Sequence, residues 1–256
     1  MKNNVALVLG CRRSEKNVGA AIVDKLKSEN WVVIGADINT HSNTNSDYFY
    51  KVDLREKEEV ELLFDFVEDT FESLDLVINS AGVNEMGNLG NYTEEKWDNT
   101  IDVNLKSQFL VLQQYFKRYN NKEYKKRFLA ITSHTGMIPK SNTFAYGASK
   151  AGANQFIRCA ARELNKYHGQ DEWYVAGFAA GMIEDTPMDN DIKRQLIKNM
   201  ENVNNMEDAH AILTRNIPTY RGFSTDEVAE WVYFLITKGA YSTGNVLAID
   251  SGQLQG

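Results

Sequence analysis

Val5-Ala6-Leu7-Val8-Leu9-Gly10 is a short continuous apolar run closed by a glycine, and how it is read decides the fold. Such a run suits a strand buried on both faces of a parallel sheet. It is followed by Cys11-Arg12-Arg13-Ser14-Glu15-Lys16-Asn17-Val18-Gly19, after which Ala20, Ala21, Ile22, Val23 and Leu26 recur with a helix-like apolar face. The pattern is strand, loop and helix start. In a dinucleotide-binding unit the glycines of this loop let the backbone approach a pyrophosphate, which sits at the helix N-terminus. Regular spacing would put three residues between the first two glycines; here six separate Gly10 from Asn17, and asparagine stands where glycine is expected. Asparagine also visits the left-handed backbone region. Taken alone, Gly10, Arg12, Arg13, Asn17, Val18 and Gly19 fit a cofactor cradle and an ordinary strand-to-helix turn equally well.

Outward from this unit the alternation repeats. Residues 31–36 make a second apolar run closing on Asp37, eighteen residues after Gly19. A carboxylate there can accept from both ribose hydroxyls of NAD and would repel the 2′-phosphate of NADP. Arg12 and Arg13 could bind that phosphate instead, so NAD is the expected cofactor and NADP stays open. A strand near 48–52 ends at Asp53-Leu54, which could hold an adenine amino group or simply lead into the next helix. Val60, Leu63, Phe64, Val67 and Phe71 have helical spacing, and Leu76-Val77-Ile78 then runs into Asn79-Ser80-Ala81-Gly82. Small residues there permit close approach to a ligand, as they would permit a tight turn.

Ile101, Leu105, Phe109, Leu112 and Phe116 stripe another helix, and Asn104 lies beside the stripe. If buried, Asn104 must hydrogen-bond backbone or water. The run at 128–131 delivers Thr132-Ser133-His134 to the carboxyl edge of the sheet, where open α/β sheets bind ligands. A sixth strand at 173–178 ends at Ala179-Ala180-Gly181, Ser224-Thr225-Asp226-Glu227 is a capping box, and 246–249 is the last strand. The βαβ alternation predicts an α/β fold.

Composition narrows the class. A chain of 256 residues can bury a large core, and its net charge of -7 with no long Lys/Arg run gives little support to nucleic-acid or anionic-membrane binding. The basic cluster Lys122 to Arg127 reads as a solvated turn. No stretch has the length of a signal peptide core or a membrane span, so a soluble, cytoplasmic protein is expected. Cys11 and Cys159 are far apart, and no Cys/His cluster suggests a disulfide framework or metal site.

Tyr146-Gly147-Ala148-Ser149-Lys150 is the chemically suggestive stretch. Four residues on a helix return to one face, so phenol and ammonium can meet. A neighbouring cation favours the phenolate and moves a poor base toward the working range. Taken alone the pair reads first as a surface contact, since such pairs are common on helices. Ala153, Phe156, Ile157, Ala160 and Leu164 continue the helix, and Ser133 precedes Tyr146 by thirteen residues.

Gly10, Asn79-Ser80-Ala81-Gly82, Asn104, Ser133, Tyr146-x-x-x-Lys150, Gly181, Thr186 and Asp250-Ser251-Gly252 stand in the order and spacing of one family. The chain resembles the single-domain short-chain dehydrogenases/reductases over nearly its whole length. That resemblance implies one domain over 1–256, a Rossmann-like, doubly wound, seven-stranded parallel sheet in three α/β/α layers, and usually a homotetramer or homodimer. It also implies NAD(P)-dependent carbonyl/alcohol chemistry on a small molecule. Tyr146 would exchange the proton, Lys150 would hold the nicotinamide ribose and depress the Tyr146 pKa, Ser133 would hydrogen-bond the substrate oxygen, and Asn104 would hold a proton-relaying water.

Departures bear on branch and substrate. The stretched loop is similar in length to that of the enoyl-reductase branch, yet Tyr146 and Lys150 have three residues between them rather than the six usual there. Ser80 replaces an Asn, Ala180 replaces a Pro, and one extra residue separates Gly181 from Thr186. Residues 184–221 have the length of a substrate-covering segment, with an acidic cast that mildly disfavours polyanionic substrates such as acyl-CoA. His134, Met137, Asn142 and Met182 are further pocket candidates, with His134 read as wall rather than catalyst. A 3-oxoacyl or a sugar/polyol substrate is expected; enoyl reduction and a non-catalytic dinucleotide-binding sensor or scaffold are the alternatives.

Overall fold

The structure is a computed structural model and describes residues 4–12, 16–39, 44–167 and 172–255. Seven strands, β1 (Val5–Leu9), β2 (Val32–Asp37), β3 (Tyr48–Lys51), β4 (Leu76–Asn79), β5 (Lys126–Ser133), β6 (Trp173–Ala180) and β7 (Val246–Ile249), form one sheet in the order β3-β2-β1-β4-β5-β6-β7. Every neighbouring pair is parallel. The helices are α1 (Val18–Ser28), α2 (Lys57–Thr70), α3 (Glu94–Ile101), α4 (Ser107–Tyr119), α5 (Phe144–Tyr167), α6 (Pro187–Asn199), α7 (Met206–Thr214) and α8 (Thr225–Lys238).

The reading of the opening run holds at the level of side chains. Val5, Leu7 and Leu9 enter a core shared with α2, α4 and α5, whereas Ala6 and Val8 enter the opposite core, shared with α1 and α8. Both faces of β1 are covered, so its sequence does not alternate. The result is the doubly wound α/β/α arrangement, whose strand order reverses between β1 and β4. Ligands bind such sheets at the carboxyl ends beside that reversal.

Gly10 brings the end of β1 against the loop after β4. Its φ is +75°, and a Cβ there would lie 2.6 Å from the Ala81 amide nitrogen. Gly10→Ala therefore combines a left-handed backbone with a collision against backbone, and should lower stability by about 2 kcal/mol in a urea titration.

Two sequence expectations need correction. Lys126 is not in a solvated turn: β5 starts there, because all eight of its residues pair with β6, and the Lys126 side chain is fully buried. Its ammonium donates to Lys122 O at 2.6 Å and lies over the rings of Tyr124 and Trp173. Residues 184–221, read from the sequence only as a covering segment, contain α6 packed against α7. The helix bearing Asn104 is interrupted: α3 and α4 are joined by a π turn at Asp102–Lys106. Arg13 lies outside the described residues. No described helix is long and apolar enough to cross a membrane.

Candidate active site

A cavity of about 700 Å³ follows the carboxyl edge of the sheet, from Asp37 at the end of β2 to Leu196 and Leu213 on α6 and α7. Ser133, Tyr146 and Lys150 line it together. The end of β5 and the first turns of α5 meet here because Gly136 lets the turn after Ser133 sit on the α5 backbone. A Cβ at Gly136 would be 2.6 Å from the Lys150 carbonyl carbon.

Tyr146 is 8% exposed. Burial raises its pKa, and the hydrogen bond with the Ser133 hydroxyl opposes that rise. Lys150 Nζ lies 5.6 Å from the Tyr146 ring centroid and donates to Ile131 O at 3.1 Å. Burial lowers its pKa to about 8. The expected depression of the Tyr146 pKa by Lys150 is thus not the leading effect in the cofactor-free protein. Desolvation penalises phenolate and ammonium alike and is the largest influence on each.

Asn104 does not line the cavity; it stands one layer behind. Its Nδ2 donates to Val83 O at 2.9 Å and to Ser149 Oγ at 3.0 Å, while its Oδ1 accepts from Val83 N at 2.9 Å. Both of its amide hydrogens are used and its Oδ1 takes one more, so the side chain ties the loop after β4 to α5. Ser149 in turn donates to Tyr146 O at 2.7 Å. This chain fixes the loop after β4 to the turn of α5 that carries Tyr146, and the π turn is the backbone irregularity that accompanies it. Sequence reasoning passed over Ser149. The signal was a small hydroxyl three residues after Tyr146, a spacing at which serine can bond the preceding turn.

Of the proposed cofactor contacts, Gly10, Arg12, Asn17, Val18, Asp37, Asp53, Leu54, Ala81, Gly82, Gly181 and Thr186 line the cavity along with Tyr146 and Lys150. Gly19 and Asn79 do not. Gly19 packs on the first strand's end, where a Cβ would lie 2.3 Å from Gly10 O. Asn79 is fully buried, donating to Ser107 Oγ and accepting from Ala81 N. Met137 and Asn142 also lie off the cavity, whereas His134 and Met182 line it. His134 Nδ1 is 3.0 Å from Ala180 O, so that nitrogen carries the hydrogen, and burial keeps the ring neutral by lowering its pKa.

The donor set fits a dinucleotide. Asn17 caps α1 through Ala20 N at 3.2 Å, which leaves other first-turn amides for an anion. Gly10 and Gly19 let the end of β1, the loop after β4 and the start of α1 pack closely beside the cavity. Asp37 accepts from Arg12 N at 3.0 Å and from Asn39 N at 3.1 Å, which holds its carboxylate at the cavity edge. Asp53 is different: Arg55 occupies both of its oxygens, at 2.6 to 3.1 Å, and that guanidinium lowers its pKa. With its acceptor sites engaged, Asp53 positions Arg55 and Asn99 rather than offering a free carboxylate to an adenine. Among the described residues, no group of three or more His, Cys, Asp or Glu is placed to hold a metal ion.

Comparisons with known proteins cover most of the chain. A family model described as Enoyl-(Acyl carrier protein) reductase matches residues 13–253. Sorbitol-6-phosphate 2-dehydrogenase of Klebsiella pneumoniae is 28% identical over 270 aligned residues, covering 100% of this chain and 98% of that protein. The short chain dehydrogenase/reductase dmxR18 of Cryptosporiopsis sp. is 30% identical over 212 residues, 79% of this chain and 74% of that one. A crystal structure of an actinorhodin polyketide ketoreductase variant with NADPH has a TM-score of 0.86 at 24% identity, covering 98% and 97% of the two chains, which speaks to the shared fold.

Proposed function

The chain belongs to the short-chain dehydrogenase/reductase family and is an NAD(P)-dependent oxidoreductase, and from that premise we propose that it interconverts a carbonyl and a secondary alcohol with Tyr146 as general acid and base. The observation that carries this reading is the buried Tyr146 phenol beside Ser133, with Lys150 over its ring, in a cavity continuous with Asp37.

The bound dinucleotide supplies or accepts hydride. Tyr146 gives its proton to the carbonyl oxygen in reduction and takes the hydroxyl proton in oxidation. Ser133 Oγ already accepts from Thr135 N at 3.2 Å, so its hydrogen is directed elsewhere and can meet the substrate oxygen, where negative charge develops. Lys150 has N–H donors beyond the one given to Ile131 O, and these would hold the nicotinamide ribose. Asn104 and Ser149 act as positioning residues for Tyr146. Residues 184–221 would cover the substrate. A cytoplasmic homodimer or homotetramer belongs to the same reading, supported by the exposed apolar side chains Phe109, Trp231 and Phe234.

For the cofactor we propose NAD, because a carboxylate held at the end of β2 pairs with ribose hydroxyls and repels a 2′-phosphate. Asp37→Ala should then lower the ratio of kcat/KM for NADH over NADPH by about tenfold, the effect of one charge-assisted hydrogen bond. Equal ratios in the two proteins would sink the assignment. Enoyl reduction, named by the family model, is the second reading. It would be preferred if enoyl thioesters were turned over and carbonyl compounds were not.

A further inference from the structure

Met188, Ile192 and Leu196 are spaced four residues apart on α6 and therefore share a face. All three, with Leu213 of α7, line the cavity that holds Ser133 and Tyr146. Each is only half-buried, and none joins either of the two cores that flank the sheet. Met86 and Met182 line the same cavity. Thioether side chains adapt to apolar groups of varied shape.

The base of α6 is anchored. Thr186 caps it through Asp189 N at 3.2 Å, and the buried Asp189 carboxylate takes both Lys193 Nζ at 2.7 Å and Asp185 N at 2.9 Å. Asp189 is the ionisable residue among those that α6 and α7 contribute to the cavity wall, and its charge is met by Lys193. A phosphate on the substrate would find no cation on this wall. Hydroxyls of a polyol laid against it would lose water without gaining partners, which is costly.

We propose that the substrate bears an apolar alkyl or ring substituent beside its reacting carbonyl or carbinol carbon, received by Met188, Ile192, Leu196 and Leu213. The proposal rests on the carbonyl/alcohol reading above and specifies its substrate class. Affinity for the substituent then grows with buried length, at about threefold to fourfold per methylene.

The test measures kcat/KM with NADH for 2-alkanones from 2-butanone to 2-octanone, beside a ketohexose and its phosphate ester. The expected result is a rise of about a hundredfold along the series, since each methylene adds a similar factor, with the alkanones above both sugars. Ile192→Asn and the milder truncation Leu196→Ala should each flatten the slope. A flat wild-type series, or preference for the ketohexose or its phosphate, overturns the proposal. Calorimetric binding of acetamide, butyramide and hexanamide to the wild-type protein gives a readout apart from turnover. If no ketone reacts, the carbonyl/alcohol reading fails by itself. Amide affinity that rises with chain length still supports the apolar subsite, and affinity independent of length refutes it.

Discussion

Tyr146→Phe is expected to lower carbonyl turnover by about 10²–10⁴-fold, the range that a positioned acid or base contributes, while NADH affinity is unchanged. The substitution removes one oxygen from a side chain that is already 8% exposed, so packing of α5 against the sheet is kept. What it deletes is the proton donor beside Ser133. Burial raises the Tyr146 pKa in the cofactor-free protein, so at neutral pH the phenol is protonated and ready to act as an acid. Oxidation needs the phenolate, and its rate in the parent protein should therefore climb with pH where reduction does not. The Phe variant should lose both the turnover and that pH dependence. Steady-state rates in both directions, with fluorescence titration of NADH, give the answer. Near-normal turnover in the Phe variant would refute the acid-base assignment.

The second large effect couples activity to stability. Lys150 is 4% exposed, and burial brings its pKa to about 8, below the value of about 10.4 for a lysine in an unfolded chain. Between those two values the unfolded chain holds a proton that the folded protein has released, so stability of the cofactor-free protein rises with pH through that window. Below it both states are charged, and the buried ammonium costs at most about 3 kcal/mol. Lys150→Met keeps the length of the side chain and removes the charge. It forfeits the hydrogen bond to Ile131 O, worth about 1 kcal/mol, so a net gain of about 1–2 kcal/mol is expected at pH 7 from these two contributions. Urea denaturation at pH 7 and pH 9.5 should show the variant more stable at pH 7 and the parent alone gaining at the higher pH. Turnover should fall with the loss of the cation. A variant less stable than the parent at pH 7 would show that the ammonium is well accommodated and would overturn the account of burial.

How much was legible beforehand follows from how local each signal was. Val5 to Gly10 could be read as a doubly covered strand because two-sided burial abolishes alternation, and that holds whatever else the chain does. The Ser224 capping box is another local device, and both of its reciprocal hydrogen bonds form. Tyr146 and Lys150 share a face because helical geometry requires it, and Ser133 could be matched to them through the spacing of a family pattern.

Other features depended on partners distant in the chain. Lys126 looked like a solvated charge because its sequence neighbours are basic, yet pairing of β5 with β6 buries it beside Trp173. Asp53 is engaged by Arg55 only two residues on, and the distant partner is Asn99 of α3, which accepts from the same guanidinium and appeared only once α3 was in place. The bonds of Asn104 to Val83 and Ser149 likewise needed the loop after β4 and α5 to be in place. The residues of α6 showed an acidic segment in composition, while its orientation turns the apolar face inward and leaves Asp191 and Arg194 exposed.

For this protein the sequence by itself determined the βαβ alternation, the β1 strand and the placing of Tyr146 and Lys150 on one helix face, because each depends on residue spacing within one element or on the order of elements. Only the tertiary structure decided which charges are buried, which polar groups are already satisfied, and that the cavity beyond Tyr146 has an apolar wall. Those properties arise when elements far apart in the chain desolvate one another, and no local pattern encodes the partner that arrives.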